Sequence, residues 1–465
     1  MRLTRRELIA GAAAGAALGA AGVYELVDAL SGGAPERATP TGGRGPEQHL
    51  LDGVRTIVDN DVEVLVPPLH HEVVTARVKA DAGDLGDARR ALEEKLVALE
   101  ATYPATPAGL GVTVAWGLPY FERLVSGPAR AHVPHDRRAN ASVLLPTRRF
   151  PSDPEETILE ENDVAILLRS DDLDHIEDAA KALFDDLDVF STTSIRKGFA
   201  GGGFEGARSL PKRMAMAAGV PGADLIPETS ELFLGFTSTQ KAGLGPPRIA
   251  NLETLGYADL RRSGYFRGGT HMHLSHITED LEAWYLNFDF RERVDTSFRP
   301  GVAVKAGVQT VPQAPDDVVD AAKLRDEFEK SGRIGHSASI QTTSRLAADV
   351  VGADGVVYKA GTAVPHRADF NTLDNPFFWS ADSERDGMDE TPNAGVHFVV
   401  FNPTSDDFHR NRLAMDGHLP DGTKLPLPPR GRGQGFNAVL RTTHRQNFLV
   451  PPRAHRAFPL AELRG

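Results

Sequence analysis

The stretch RGGTHMHLSHITEDLEAWY, residues 267–285, joins a strand-like segment directly to the start of a helix. THMHLSHI predicts a strand, and TEDLEAWYLNF predicts a helix with Thr278 as its N-cap and acidic residues in its first turn. Because side chains alternate between the two faces of a strand, we expect His271 and His273 on one face and His276 on the other. The order of strand and helix indicates a mixed α and β fold.

The same order of elements extends through both halves of the chain. In the first half we predict strands within 61–80, 111–118 and 163–172, and helices over 84–103 and 172–187. In the second half GVHFVVFNP (395–403) predicts a strand and TSDDFHRNRLAM (404–415) a capped helix. Strand–helix–strand–strand–helix–strand is the order of a ferredoxin-like α+β domain. We therefore predict two such domains with antiparallel sheets, over residues 51–205 and 206–465, with Gly/Pro-rich insertions at 198–250 and 352–395.

The N-terminus has the composition of an export signal. MRLTRRELIAGAAAGAALGAAGVY carries Arg5 and Arg6 before a mildly apolar Ala/Gly run, and TRRELIAG resembles the twin-arginine signal. We predict a signal segment at 1–30 and a flexible linker at 31–50. An exported protein, extracytoplasmic or secreted, is expected, with the twin-arginine translocase as its partner during export. That route carries folded proteins, often with a cofactor already inserted.

The composition of the 465-residue chain excludes several kinds of site. The formal net charge of −13 argues against nucleic acid as a partner, because phosphate binding needs a basic surface. The absence of cysteine excludes disulfides, thiolate metal sites, iron–sulfur clusters and a thiolate haem ligand.

The histidines of the opening stretch leave two interpretations open. His271 and His273 can share a metal ion, but a third ligand would have to come from elsewhere, and no zinc signature surrounds them. Their other interpretation is as hydrogen-bonded side chains on a half-buried strand. A metal site that joins this cluster to His70 and His71 is kept as a hypothesis.

Four segments of the chain together resemble the dye-decolourising (DyP-type) haem peroxidase superfamily. RGGTHMHLSHITEDLEAWY resembles the family's RGGTY strand and LEAW helix. GVTVAWGLPYFERL (111–124), ENDVAILLRSDD (161–172) and GVHFVVFNPTSDDFHRNRLAM are similar to three further family segments, in the same order. The resemblance covers most of residues 60–455. It implies a divergent member with two ferredoxin-like domains of the dimeric α/β-barrel-like superfamily and one haem b, held mostly by the second domain.

The resemblance also implies candidate site residues. The family's distal G-x-x-D-G motif is matched by Gly202–Gly206, where Glu205 replaces the aspartate and Gly202 and Gly206 would lie against the haem. A positioned carboxylate can move the proton that peroxide cleavage requires, and an arginine can stabilise the developing negative charge. VPHRADFNTLD supplies Arg367 for that role and Asn371 beside it.

The axial iron ligand implied by the resemblance is His336, within RIGHSASIQTTSRLA (333–347). A second alignment puts Ser339 at that position, and His366 is a lesser alternative. A neutral imidazole is the usual protein ligand of a peroxidase iron.

The leading hypothesis is an exported haem peroxidase that reduces hydrogen peroxide and oxidises an organic reductant. Electrons would pass through Trp284 or Tyr285 near the surface, although an aromatic pair on a helix is more often part of the core. The alternative is a non-catalytic or haem-free member of the fold that acts as an extracytoplasmic ligand- or metal-binding protein. Self-association into a homo-oligomer is left open.

Overall fold

The computed structural model describes residues 20–31, 44–59, 62–202, 204, 207–235, 245–304, 318–373 and 392–464. Its eight principal strands are β1 (His70–Val78), β2 (Gly111–Gly117), β3 (Val164–Ser170), β4 (Phe190–Phe199), β5 (Thr270–Glu279), β6 (Phe370–Thr372), β7 (Gly395–Asn402) and β8 (Leu440–Val450). Shorter strands lie at Thr56–Asp59, Val62–Leu65, His135–Asp136, Ala141–Ser142, Ile158–Leu159, Ala258–Asp259, Val350–Val351, Val357–Tyr358 and His366–Arg367.

The helices surround these strands. The α-helices are α1 (Val27–Ser31), α2 (Leu85–Thr102), α3 (Leu118–Arg123), α4 (Ser126–His132), α5 (Leu173–Ala180), α6 (Leu210–Ala218), α7 (Leu281–Asn287), α8 (Phe290–Ser297), α9 (Ala321–Ser331), α10 (His336–Ser344) and α11 (Ser405–Met415). Short 3-10 segments connect several of them, and the turn at Lys181–Asp185 after α5 is a π-helix.

Both halves of the chain have the same antiparallel strand order. The first half is ordered β4-β1-β3-β2 and the second β8-β5-β7-β6, so each pairs its strands in the sequence 4-1-3-2. The halves join where β6 pairs with β4 and where β8 pairs with β2. Because β5 also pairs with β8, the eight strands close into a ring. The predicted α+β class with two ferredoxin-like, antiparallel halves is confirmed.

The alternation of side chains along the strands separates an inner from an outer core. On β3, Val164, Ile166 and Leu168 face outward against α2 and α5, whereas Ala165 and Leu167 face the interior of the ring. Burial on both faces explains why this strand is apolar almost throughout, whereas a one-sided strand would alternate.

A row of three histidines crosses the interior of the ring. His276 is the cross-strand neighbour of His397 on β7 and of His444 on β8, and all three are buried. The rings of His276 and His397 are 5.0 Å apart. Burial lowers the pKa of each, that of His444 to about 3, so the row is neutral at pH 7. The prediction that His276 lies opposite His271 and His273 is confirmed.

The start of helix α7 differs from the prediction. β5 continues through Thr278 to Glu279, and the N-cap is Asp280, whose carboxylate accepts from the Ala283 amide at 2.9 Å. Thr278 as the N-cap is therefore wrong. A carboxylate placed two residues later reaches the exposed amides of the first turn equally well, and strand pairing with β8 extends the strand.

The N-terminal segment 20–31 packs against the folded body. Val23, Tyr24 and Val27 are buried in a hydrophobic cluster that also contains side chains of α6 and α7. The Tyr24 hydroxyl lies 3.0 Å from Thr372 Oγ1 and accepts from the amide of Leu373. The predicted signal boundary at residue 30 falls inside this docked segment and stays a prediction. In the described part of the chain, no helix has the length and apolarity to cross a membrane.

Candidate functional site

A large cavity lies on the outer face of the second half, between β5, β7 and β8 and the helices α10 and α11. It contains about 1670 Å³ of space that no atom fills, including its mouth. Its sheet wall is apolar over Ile277, Val396, Phe398 and Val400. A concave, mostly apolar cavity with a few converging polar groups is the usual form of a ligand site.

His336 lines this cavity from the first residue of α10. The preceding residue, Gly335, lies so close to Phe298 that a Cβ would come within 2.1 Å of its carbonyl oxygen, so only glycine permits this approach. The imidazole stacks on Phe436 with ring centroids 4.6 Å apart. Burial, with the charges of Arg367 and Arg412, lowers the pKa of His336 to about 3, and the ring is neutral at pH 7.

Arg367 and Asn371 line the same cavity. Arg367 is half-exposed on a short strand that pairs with β7, and its Nε lies 3.9 Å from Asp369 Oδ1. Asn371 is buried on β6, where the lack of a side chain on Gly198 lets β4 approach its carbonyl. The structure thus brings His336, Arg367 and Asn371 together, although the sequence separates them by 35 residues.

The glycine motif is only partly described. Gly202 follows the end of β4 and faces Leu210 of α6, away from the cavity lining. Glu205 and Gly206 lie outside the described residues, so their roles as proton-transfer acid and haem contact stay predictions.

Glu279 is a cavity residue that the sequence analysis assigned to the first turn of a helix. It ends β5, is 8% exposed, and its Oε2 has no hydrogen-bond partner among the described residues. Burial raises the pKa of this carboxyl to about 8, so it holds its proton at neutral pH. Its position, two residues after Ile277 on the cavity face of β5, could have been found from strand alternation had the strand been extended past Thr278.

Arg412 and Arg445 meet at the floor of the cavity around Asp153. Arg445 Nη2 donates to Asp153 Oδ1 at 2.6 Å, and Arg412 Nη2 lies 3.2 Å from the same oxygen. No local sequence pattern marks this group, because its members lie in three segments far apart in the chain.

The remaining candidates lie outside the cavity lining. His273 shares the cavity face of β5, but its ring stacks on Phe408 and is held by Asn447 and Ser275. His366 packs against His49 and Phe401, and Ser339 Oγ donates to the His336 carbonyl. In the described residues no group of histidines and carboxylates has the geometry of a metal site, so the histidine-cluster hypothesis finds no support.

The aromatic pair on α7 belongs to the core. Trp284 is fully buried and donates from Nε1 to the Leu234 carbonyl at 2.8 Å. The Tyr285 hydroxyl donates to the Phe233 carbonyl at 2.7 Å. The placement of Trp284 near the surface is therefore wrong. Its large apolar ring is buried in the hydrophobic cluster that the side chains of α6 and α7 form.

Solved structures similar to this chain come from DyP-type peroxidases. The encapsulated DyP-type peroxidase from Mycobacterium smegmatis is 14% identical over 85% of this chain and 96% of its own, with a TM-score of 0.49. A DypB variant from Rhodococcus jostii RHA1 in complex with haem is 14% identical over 84% and 96%, with a TM-score of 0.48. The DyP-type peroxidase from Cellulomonas bogoriensis is 15% identical over 89% and 99%, with a TM-score of 0.47.

These structures are of DyP-type peroxidases, the superfamily that the sequence segments resemble. No curated protein matches the chain. The model of a family described as of unknown function, DUF7405, matches residues 68–452, and the chain belongs to that family.

Proposed function

We propose that the protein is an exported haem-dependent peroxidase that reduces hydrogen peroxide and oxidises an organic reductant. The observation that carries the proposal is the convergence of His336, Arg367 and Asn371 on one cavity. Haem b would be held there by His336, and it would supply the iron at which peroxide is reduced.

The residues present fit such a group in their chemistry. The imidazole of His336 is neutral, as coordination requires, and the apolar sheet wall suits a flat macrocycle. One feature departs from a usual haem site: His336 Nδ1 is buried with no hydrogen-bond partner among the described residues. Ligating histidines usually donate their second N–H to a carboxylate or carbonyl.

The chain's own residues can perform the proton and charge steps. Arg367 provides a positive charge for an oxygen that becomes negative as peroxide is cleaved. Glu279, protonated at neutral pH, can donate a proton and take it back. It offers this chemistry within the described cavity, in addition to the carboxyl predicted at Glu205.

The test is the absorbance spectrum of the chain produced with a supply of haem. A Soret band together with peroxide-dependent oxidation of a dye supports the peroxidase. His336→Ala should remove the band, whereas His135→Ala, a half-buried histidine of the first half outside the cavity, should keep it. A full band in His336→Ala would refute the assignment of the ligand.

The second candidate is a member of the fold that binds a ligand without turnover. The unpartnered Nδ1 of His336 favours it, because an imidazole without an acceptor for its second N–H would be a less basic and less rigidly held iron ligand. A Soret band without dye oxidation would decide for this candidate.

Export by the twin-arginine route, with its translocase as partner, is part of the proposal. It rests on the Arg5–Arg6 motif. Replacing both arginines by lysine should retain the protein inside the cell, as measured by fractionation. Homo-oligomer formation also stays a prediction, for light scattering to test.

A further inference from the structure

The cavity is electropositive in a strongly acidic chain. Its described charged lining consists of four arginines against two aspartates and the protonated Glu279: Arg345, Arg367, Arg412, Arg445, Asp153 and Asp369. The whole chain carries a formal net charge of −13. A positively charged cavity in a protein of negative net charge attracts anionic ligands and raises their local concentration.

Arg445 has hydrogen-bonding capacity that the protein leaves unused. The side chain is 1% exposed, and only Nη2 is bonded, to Asp153. Its Nε and Nη1 are buried and have no partner among the described residues. Burying an unpaired hydrogen-bond donor of a charged group costs more free energy than burying an unpaired neutral donor. Such a guanidinium is therefore stabilised when a ligand supplies the missing acceptor.

The surrounding contacts fix the direction of this guanidinium. Arg445 and Arg412 lie over the ring of Phe150, at 4.9 and 5.4 Å from its centroid. Arg412 is held in turn by Ser152 at 2.6 Å and Asp416 at 3.1 Å. A rigid fork of donors matches a planar carboxylate, and its orientation is set before a ligand arrives.

We propose that Arg445, supported by Arg412, forms an anion subsite at the cavity floor that takes a carboxylate of the bound ligand. Under the proposed function, on which this inference rests for its ligand, that group is a propionate of haem b. The subsite accounts for the buried, unpartnered nitrogens and for the excess of arginine in the lining.

The test compares two porphyrins on the haem-free full-length chain. Haem b carries two ionised propionates, and in its dimethyl ester both are neutral methyl esters. We expect the ester to bind at least about tenfold more weakly to the unchanged protein, measured by quenching of tryptophan fluorescence, because it lacks charge-assisted hydrogen bonds. Arg445→Gln should reduce the ratio of the two affinities, haem b over its ester, to below about threefold. Arg441→Gln removes a charge from an exposed position of the same strand and should leave the ratio unchanged.

A second measurement separates the subsite from haem binding. Benzoate should raise the melting temperature of the unchanged haem-free protein and of Arg441→Gln, and benzyl alcohol at the same ionic strength should not. Arg445→Gln should lose the response. If neither porphyrin binds but the benzoate response follows Arg445, the proposed function fails and the subsite stands. Equal affinity for haem b and its ester, or no benzoate response, would overturn the subsite.

Discussion

The two halves of the ring share a strand order but use their outer faces differently. In the first half the outer face is closed by apolar packing. One hydrophobic cluster joins Leu92 and Leu96 of α2 to the strand residues Val112, Val114, Trp116, Val164, Ile166 and Leu168. In the second half the equivalent face leaves a cavity, and it carries Ser275, Glu279 and Arg445 among its apolar residues. One module therefore has a closed outer core, whereas its repeat keeps the cavity that would bind the ligand under the proposed function. The difference lies in which side chains the strands direct outward.

The largest expected difference between the two halves is in the stability lost when an aromatic ring is removed from each outer face. Trp116→Ala should lower the free energy of unfolding by about 3–5 kcal/mol, because Trp116 is fully buried and its Nε1–H bonds the Arg456 carbonyl. Phe398→Ala should cost much less, since Phe398 already borders empty space. Urea unfolding of both variants measures this difference, and equal losses would mean that the second half is packed as tightly as the first.

Enlarging a side chain should also affect stability differently on the two outer faces. Val114→Phe should destabilise by about 1–3 kcal/mol, because it overpacks a closed core. Val396→Phe should change the free energy of unfolding little, since its ring can enter the cavity, and under the proposed function it should weaken haem binding. The melting temperature and the Soret titration report on the two effects, and a large loss of stability in Val396→Phe would contradict the cavity.

Acid should destabilise the interior of the ring. The folded protein holds His276, His397 and His444 neutral, whereas the unfolded chain protonates them near pH 6.5. Because the unfolded state then binds more protons, stability decreases as pH falls from about 6.5. His397→Phe should make the loss between pH 7 and pH 5 smaller by about 2 kcal/mol. His135→Phe is the control, and an unchanged slope in His397→Phe would contradict the prediction.

The cavity should show the opposite, smaller pH dependence. The pKa of Glu279 is raised to about 8, so the folded state keeps a proton that the unfolded chain releases near pH 4.5. Stability is therefore lost as pH rises between these values. Glu279→Gln should reduce that loss by about 1 kcal/mol in chemical unfolding at pH 6.5 and pH 7.5. The control Glu25→Gln, at an exposed position, should lose as much stability between the two pH values as the unchanged chain does. The same result for Glu279→Gln would mean that the Glu279 carboxyl is solvated.

Local sequence pattern sufficed for several of the strands and helices, whereas the site required the tertiary structure. Valine-rich alternation predicted β1 and β2, and the capping sequence before 405 predicted α11, because both signals are local. The cavity floor joins Asp153, Arg412 and Arg445, whose proximity depends on ring closure. Local pattern failed at the boundary near Thr278, because the pairing of β5 with β8 determines where that strand ends.

Residues 20–31 matter for how the protein is prepared. Tyr24 accepts from the amide of Leu373, two residues from Asn371 in the cavity wall, and Val27 is fully buried. A shortened chain that began at residue 32 would expose an apolar groove to water and leave that amide without its acceptor. Such a product would be prone to aggregation and chaperone capture, and its β6 would be less firmly anchored. An expression boundary chosen at the predicted signal would thus damage the fold that it was meant to isolate.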